Sequence, residues 1–338
     1  MTTISEITSL RDIAGLIDTL PSFDDAAAQA ATDRQNSLTK PPGALGRLEE
    51  IAIFLAGWQG TERPEINKAQ ALVFAGNHGI CAQGVNPFPQ EVTVQMVANF
   101  QHGGAAINQL CAANGAELSV IALDLDNPTK DFTEAAAMSE EECIAAINSG
   151  IQAVDKEADI LILGEMGIGN STIAAALAAA SFGGDTADWV GRGTGSDDEG
   201  VQRKINAIDA GLKRHAEADA MGILAALGGR EQAAICGAVI AARSYGIPVI
   251  LDGFICTASV APLHKAELKL LDHCMVGHQS VEPGHKKLLD EFGKIAIVNF
   301  DMRLGEGSGA ALALGIVRSA LACHNGMATF AEAQVSGG

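Results

Sequence analysis

The chain has 338 residues, with 41 acidic side chains against 22 basic ones and a formal charge of −19. At 48% hydrophobic and 19% charged it can bury a sizeable core, which excludes a mainly disordered chain. So acidic a surface is repelled by phosphate backbones and anionic lipid, so neither nucleic acid nor a membrane is expected as a partner. The opening MTTISEITSLRDIAGL lacks a basic segment followed by an apolar one, and Ile173 to Phe182, one of the longest apolar stretches, is about half a membrane span. A cytoplasmic location is the expectation. Seven cysteines (Cys81, Cys111, Cys143, Cys236, Cys256, Cys274, Cys323) are scattered with no C-x-x-C pair, which predicts reduced, mostly buried thiols rather than zinc ligands or a disulfide framework.

Residues 1 to about 68 read as helices, with Ile51, Phe54, Leu55 and Trp58 at helical spacing and Lys40-Pro41-Pro42-Gly43 as the interruption. From about residue 69 short apolar runs alternate with longer amphipathic stretches. Ala71 to Ala75, Leu118 to Leu123, Ile160 to Leu163, Trp189 to Val190, Pro248 to Leu251 and Ile295 to Asn299 read as strands. Ile173 to Ala180, Ala233 to Ala242 and residues 310 to 323 read as helices. That alternation predicts βαβ units: an α/β fold with a parallel sheet flanked by helices. A site is then expected just beyond the carboxyl ends of the strands.

Glycine clusters occupy those places. Gly164-Glu-Met-Gly167-Ile-Gly169-Asn170-Ser-Thr172 follows a strand and opens a helix, a ready anion site. It nearly fits the triphosphate loop, but Asn170 replaces the lysine that would reach the outer phosphates. The alternative is a tight turn in which Asn170, Ser171 or Thr172 caps the helix. In Gly191-Arg-Gly193-Thr-Gly195-Ser196-Asp-Asp-Glu199, Ser196 and Glu199 have capping-box spacing, and Lys204 falls about two turns into the helix. Lys204 reads either as a phosphate ligand or as a solvated surface lysine. In Arg303-Leu-Gly305-Glu306-Gly-Ser-Gly309 an acid is bracketed by glycines at a strand-to-helix junction. The helix N-terminus predicts that Glu306 stays ionised and able to accept a proton. His278, Glu282 and His285 superficially suggest a metal site. Pro283-Gly284 breaks the helix that would align them, so metal is not expected.

Taken in order, Lys40-Pro-Pro-Gly-Ala-Leu-Gly-Arg47-Leu-Glu, Asn77-His-Gly, Phe88-Pro-Gln90-Glu-Val-Thr, Gly164-Glu-Met-Gly-Ile-Gly-Asn170, Gly191-Arg-Gly-Thr-Gly195, Glu282-Pro-Gly-His285 and Arg303-Leu-Gly-Glu306-Gly-Ser-Gly resemble the nicotinate-nucleotide–dimethylbenzimidazole phosphoribosyltransferase family. The resemblance spans roughly residues 33 to 323. It implies a Rossmann-like catalytic domain over 69–302, a small helical domain from both chain ends (1–68 and 303–338), and a homodimer. The implied reaction moves 5-phosphoribosyl from nicotinate mononucleotide to a benzimidazole nitrogen, using small-molecule substrates and neither cofactor nor metal. Glu306 is the implied base. Glu165 is expected to bond the ribose hydroxyls or assist Glu306. Gly167, Gly169, Asn170, Gly193, Gly195 and Lys204 are expected to cradle phosphate and ribose, and Gln90 to line the benzimidazole pocket. Asn77, Phe88, Gln279 and Val281 depart from the family pattern, which bears on the base accepted rather than on the reaction.

Two rival readings follow from the loops alone. One is a nicotinamide-dependent oxidoreductase built on Gly164 to Gly169. Asp185 and Asp188 speak against it, since they precede the strand expected at Trp189 and a ribose-binding acid should follow it. The other is a nucleotide-binding module without catalysis.

Overall fold

The computed structural model describes residues 4–336. The first three residues of the segment 1–68 and the last two of the segment 303–338 lie outside the described residues. Among the described residues, six strands form one parallel sheet: β1 (Ala69–Ala75), β2 (Ala116–Ala122), β3 (Ile160–Met166), β4 (Val249–Leu251), β5 (Cys274–His278) and β6 (Ala296–Val298). Their spatial order is β2-β1-β3-β4-β5-β6. The direction of winding reverses at β1, so the crevice between the ends of β1 and β3 is the switch point of the sheet.

Alternate residues of the central strands feed two cores, because side chains alternate across a strand. Leu72, Phe74, Leu161, Leu163, Val249 and Leu251 face the helices Glu140–Ala153, Asn170–Phe182 and Arg230–Tyr245. Ala71, Val73, Ile160, Ile162 and Ile250 face Arg47–Gln59, Ala106–Asn114 and Ser308–Gly326. Both faces are covered, which explains why these strands read as continuous apolar runs. Among the described residues, no helix is long and apolar enough to cross a membrane.

Three local expectations need correction. Trp189-Val190 is not a strand. Trp189 follows the 3₁₀ turn Thr186–Asp188 and is wholly buried, its indole N–H donating to the Gly183 carbonyl at 2.9 Å. The pair is apolar because it fills the core, and after β3 the chain makes no strand until β4. The helix after Gly195 is capped by Asp197, whose carboxylate accepts the Gly200 N–H, and Ser196 is not its cap. Pro283-Gly284 opens the helix Pro283–Phe292 instead of breaking one, since a proline in the first turn has no intrahelical bond to lose.

Candidate active site

A cleft opens across the carboxyl ends of β3 to β6, lined in part by Glu165, Gly167, Gly169, Asn170, Gly193, Lys204 and Glu306. Gln90 and Gly195 do not line it. The Gln90 amide is turned inward and donates to the His78 carbonyl, while Gly195 sits exposed on its turn. Residues that pattern reading missed also line the cleft, notably Ser171, Asp252, Ser280 and Arg303. Ser171 and Arg303 stood within motifs already singled out. Asp252, one residue beyond β4, carried no local signal apart from its place at a strand end.

One end of the cleft is cationic. Lys204 is 2% exposed, so it is no solvated surface lysine; burial lowers its pKa, and Glu282 opposes that. Its ammonium donates to Ser171 Oγ and to the Gly191 carbonyl, each at 3.1 Å. Arg303 Nη1 donates to the Gly193 carbonyl at 3.0 Å, and the Gly193 N–H donates to Glu282 Oε1 at 3.0 Å. A Cβ on Gly193 would stand 2.8 Å from Ser171 Oγ, so a side chain there would invade the cradle. The helix Asn170–Phe182 aims its N-terminus here behind Gly169, which has φ +94°. Ser171 and Asn170 point into the site instead of capping that helix: no side chain caps it, and the Asn170 amide donates to Glu165.

The other end holds carboxyls. Glu165 is fully desolvated and also feels Asp252, Glu231 and Glu306, so its pKa is raised well above the usual carboxylate range. Glu306 is 7% exposed; burial, with the Asp252 charge second, raises its pKa to about 7. This corrects the expectation that a helix N-terminus keeps Glu306 firmly ionised, because the helix begins only at Ser308 and desolvation outweighs its dipole. Glu306 itself has φ +66°, between Gly305 and Gly307, both at +81°. An acid follows the next strand after all, namely Asp252 after β4. Both its oxygens are taken by backbone N–H groups of the Gly307–Ala310 stretch, which leaves it poorly placed to bind a cofactor ribose.

His278 and His285 meet edge to face, with ring centroids 6.4 Å apart, but have different polar partners. His278 Nε2 lies 3.8 Å from Asp252 Oδ1, whereas His285 Nδ1 accepts the Ser280 N–H at 2.8 Å. Asn77, Phe88, Gln279 and Val281 all lie off the cleft lining; Asn77 is buried, with its amide donating to the Leu125 carbonyl at 2.9 Å.

The chain is similar to known proteins over nearly its whole length. A family model described as "Phosphoribosyltransferase" matches residues 20–335. A nicotinate-nucleotide–dimethylbenzimidazole phosphoribosyltransferase of Rhodobacter capsulatus is 64% identical, covering 98% of this chain and 99% of that one. One of Ruegeria pomeroyi is 56% identical, with 98% and 99% covered. The crystal structure of CobT from Thermus thermophilus superposes with a TM-score of 0.88 at 40% identity, covering 93% of this chain and all of the other. With the glycine loops of that resemblance gathered around a single cleft, this chain belongs to the nicotinate-nucleotide–dimethylbenzimidazole phosphoribosyltransferase family.

Proposed function

We infer that the protein transfers the 5-phosphoribosyl group from nicotinate mononucleotide to 5,6-dimethylbenzimidazole or a related base, in assembly of the nucleotide loop of cobalamin. The observation that carries the reading is the grouping of charge in the cleft, with Lys204 and Arg303 gathered at Gly193 alongside Glu282, and Glu165 and Glu306 gathered with Asp252. A phosphate suits the cationic end and a helix N-terminus, and it lies remote from the reacting carbon. A carboxylate titrating near neutrality suits proton transfer at the opposite end.

In this reading the acceptor nitrogen uses its lone pair to attack C1′ of the ribose from the face opposite nicotinate. The C1′–N bond to the pyridinium breaks, and its electron pair returns to the pyridine nitrogen, which leaves uncharged. The other benzimidazole nitrogen then carries a positive charge until its N–H proton passes to the Glu306 carboxylate. The products are the α-linked ribazole 5′-phosphate, nicotinate and one proton. Gly167, Gly169, Asn170, Gly193 and Lys204 hold the phosphate and ribose. Burial raises the Glu165 carboxyl well above the usual carboxylate range, and in its protonated form it donates to a ribose hydroxyl or to Glu306. Gln90 reaches the acceptor only if its amide leaves the His78 carbonyl, and Gly195 acts through the turn that shapes the cradle.

The helices of the two chain ends, 1–68 and 303–338, are read as one unit that carries Glu306 to the sheet. A cytoplasmic homodimer is the assembly this reading carries, on the strength of the family resemblance. The functional test is incubation with nicotinate mononucleotide and a panel of bases, with products identified by mass spectrometry. Ribosylated base with stoichiometric nicotinate is expected; binding of the donor without turnover on any base would leave only a binding module. Sedimentation of the purified protein at twice the monomer mass is expected for the dimer.

A further inference from the structure

Asp252 is 1% exposed and takes no part in the chemistry above. Its Oδ2 accepts the Gly307 N–H at 3.1 Å and its Oδ1 accepts the Ala310 N–H at 2.8 Å. Those donors lie at the end of, and just beyond, three successive left-handed residues, Gly305, Glu306 and Gly307. A glutamate in that region is disfavoured sterically and persists only where its surroundings over-determine it. The two bonds reach across from β4 and tie the exit of the turn to the sheet. Two backbone N–H donors also favour the ionised form of the carboxyl that accepts them.

The other charged groups nearby are arranged so that Asp252 faces Glu306 as the main anion. Burial pushes the carboxyl of Glu165, on β3, well above the usual carboxylate range and so favours its neutral form. Glu231, on the helix Arg230–Tyr245, is paired with His78 at 2.7 Å. His278, on β5, lies beside Asp252, and Arg303, on the loop before Glu306, is turned to the Gly193 carbonyl. The Cys256 thiol, on the helix after β4, is held protonated by burial.

We propose that Asp252 is the positioning residue for Glu306, tying its left-handed turn to β4 and setting, through its negative charge, how readily Glu306 takes up a proton. This rests on the reading of Glu306 as the base. Burial pushes the Asp252 carboxyl upward, while His278 and the backbone N–H groups oppose the rise and keep it more acidic than it would otherwise be.

The experiment is Asp252→Asn, which keeps the shape and removes the charge. The acid limb of kcat against pH should move down by about one unit, the scale of a nearby like charge. kcat itself should fall about tenfold or more as the base weakens and loses its anchor, while donor KM changes less than about twofold. A variant that loses rate with its acid limb unmoved would reduce Asp252 to a structural support and overturn the charge argument. A readout free of turnover separates this inference from the reading beneath it. The infrared carboxyl band absent from Glu306→Gln should titrate near pH 7 in the wild type and about one unit lower in Asp252→Asn. If Glu306→Gln turns over like wild type, the base assignment fails, yet the band shift still decides the role of Asp252. If Asp252→Asn does not fold, wild-type protein labelled with ¹³C-aspartate provides the answer. No protonated aspartate band should appear until Glu306 has titrated, and one that appears earlier overturns the proposal.

Discussion

Gly164 on β3 and Gly307 at the start of the last long helix meet backbone to backbone. A Cβ on Gly164 would stand 2.4 Å from the Gly307 nitrogen and 2.7 Å from the Glu306 carbonyl carbon. No flexible side chain can give way there. The turn that presents Glu306 is therefore seated directly on the sheet, and the missing side chain at Gly164 is what permits it.

Gly164→Ala should accordingly displace the Glu306 turn more than it harms the core. We expect a stability loss on the order of 1–3 kcal/mol, from strain against backbone atoms. A kcat loss larger than that of a remote core substitution of equal cost should accompany it. Thermal melts and steady-state rates on the same preparation check this. Unaltered kcat in a folded Gly164→Ala protein would mean that the turn does not need this seat.

Glu306→Gln removes the base while keeping size and hydrogen-bonding reach. kcat should fall by roughly two to four orders of magnitude with donor and acceptor still bound. With its carboxyl near pH 7, wild-type activity should decline below neutrality as Glu306 protonates. That limb should be missing from the residual activity of the variant. A benzimidazole already methylated on one nitrogen has no proton to lose, so its rate should suffer less. Equal losses on both acceptors would assign Glu306 to electrostatics or placement instead.

The same carboxyl should cost stability at alkaline pH. Its folded pKa, about 7, exceeds the ordinary value of 4.5, so the folded state binds more protons between those limits. Stability is then full below about 4.5 and is lost as pH rises through about 7. Glu306→Gln should match wild type near pH 4.5 and exceed it by on the order of 1–3 kcal/mol near pH 8. Denaturant melts across that range measure the difference; a variant equally or less stable at alkaline pH would contradict the desolvation argument.

At the cationic end, Lys204→Ala removes a buried ammonium that already has two polar partners, Ser171 Oγ and the Gly191 carbonyl. Donor KM should rise more than kcat falls, because a phosphate distant from C1′ is bound alike in ground and transition states. Lys204→Arg should restore little, since the longer planar group does not fit beside Ser171. Donor affinity unchanged at low salt would remove Lys204 from the cradle.

The alternation of apolar runs with Ala-rich helical stretches was enough to determine the parallel α/β sheet and to place the Gly164–Gly169 loop at a strand end, whereas the Gly191–Gly195 loop follows no strand. Those are properties of local pattern, and the central strands are buried on both faces as their composition demands. Local pattern also misled. Trp189-Val190 is apolar because it is core, and two residues carry no period by which to tell a strand from a buried turn. Ser196 and Glu199 have the right spacing for a cap, but the chain begins its helix one residue later. What only the tertiary structure decided is the electrostatics. Asp252 is separated from Glu306 by 54 positions in the chain, and nothing in either segment announces the other. Their meeting across β4 and the last long helix, in space emptied of water, turns Glu306 from an ordinary helix-terminal acid into a carboxyl that titrates near neutrality. Desolvation belongs to the packed surroundings of a group, so the residues on either side of it in the chain could not have predicted it.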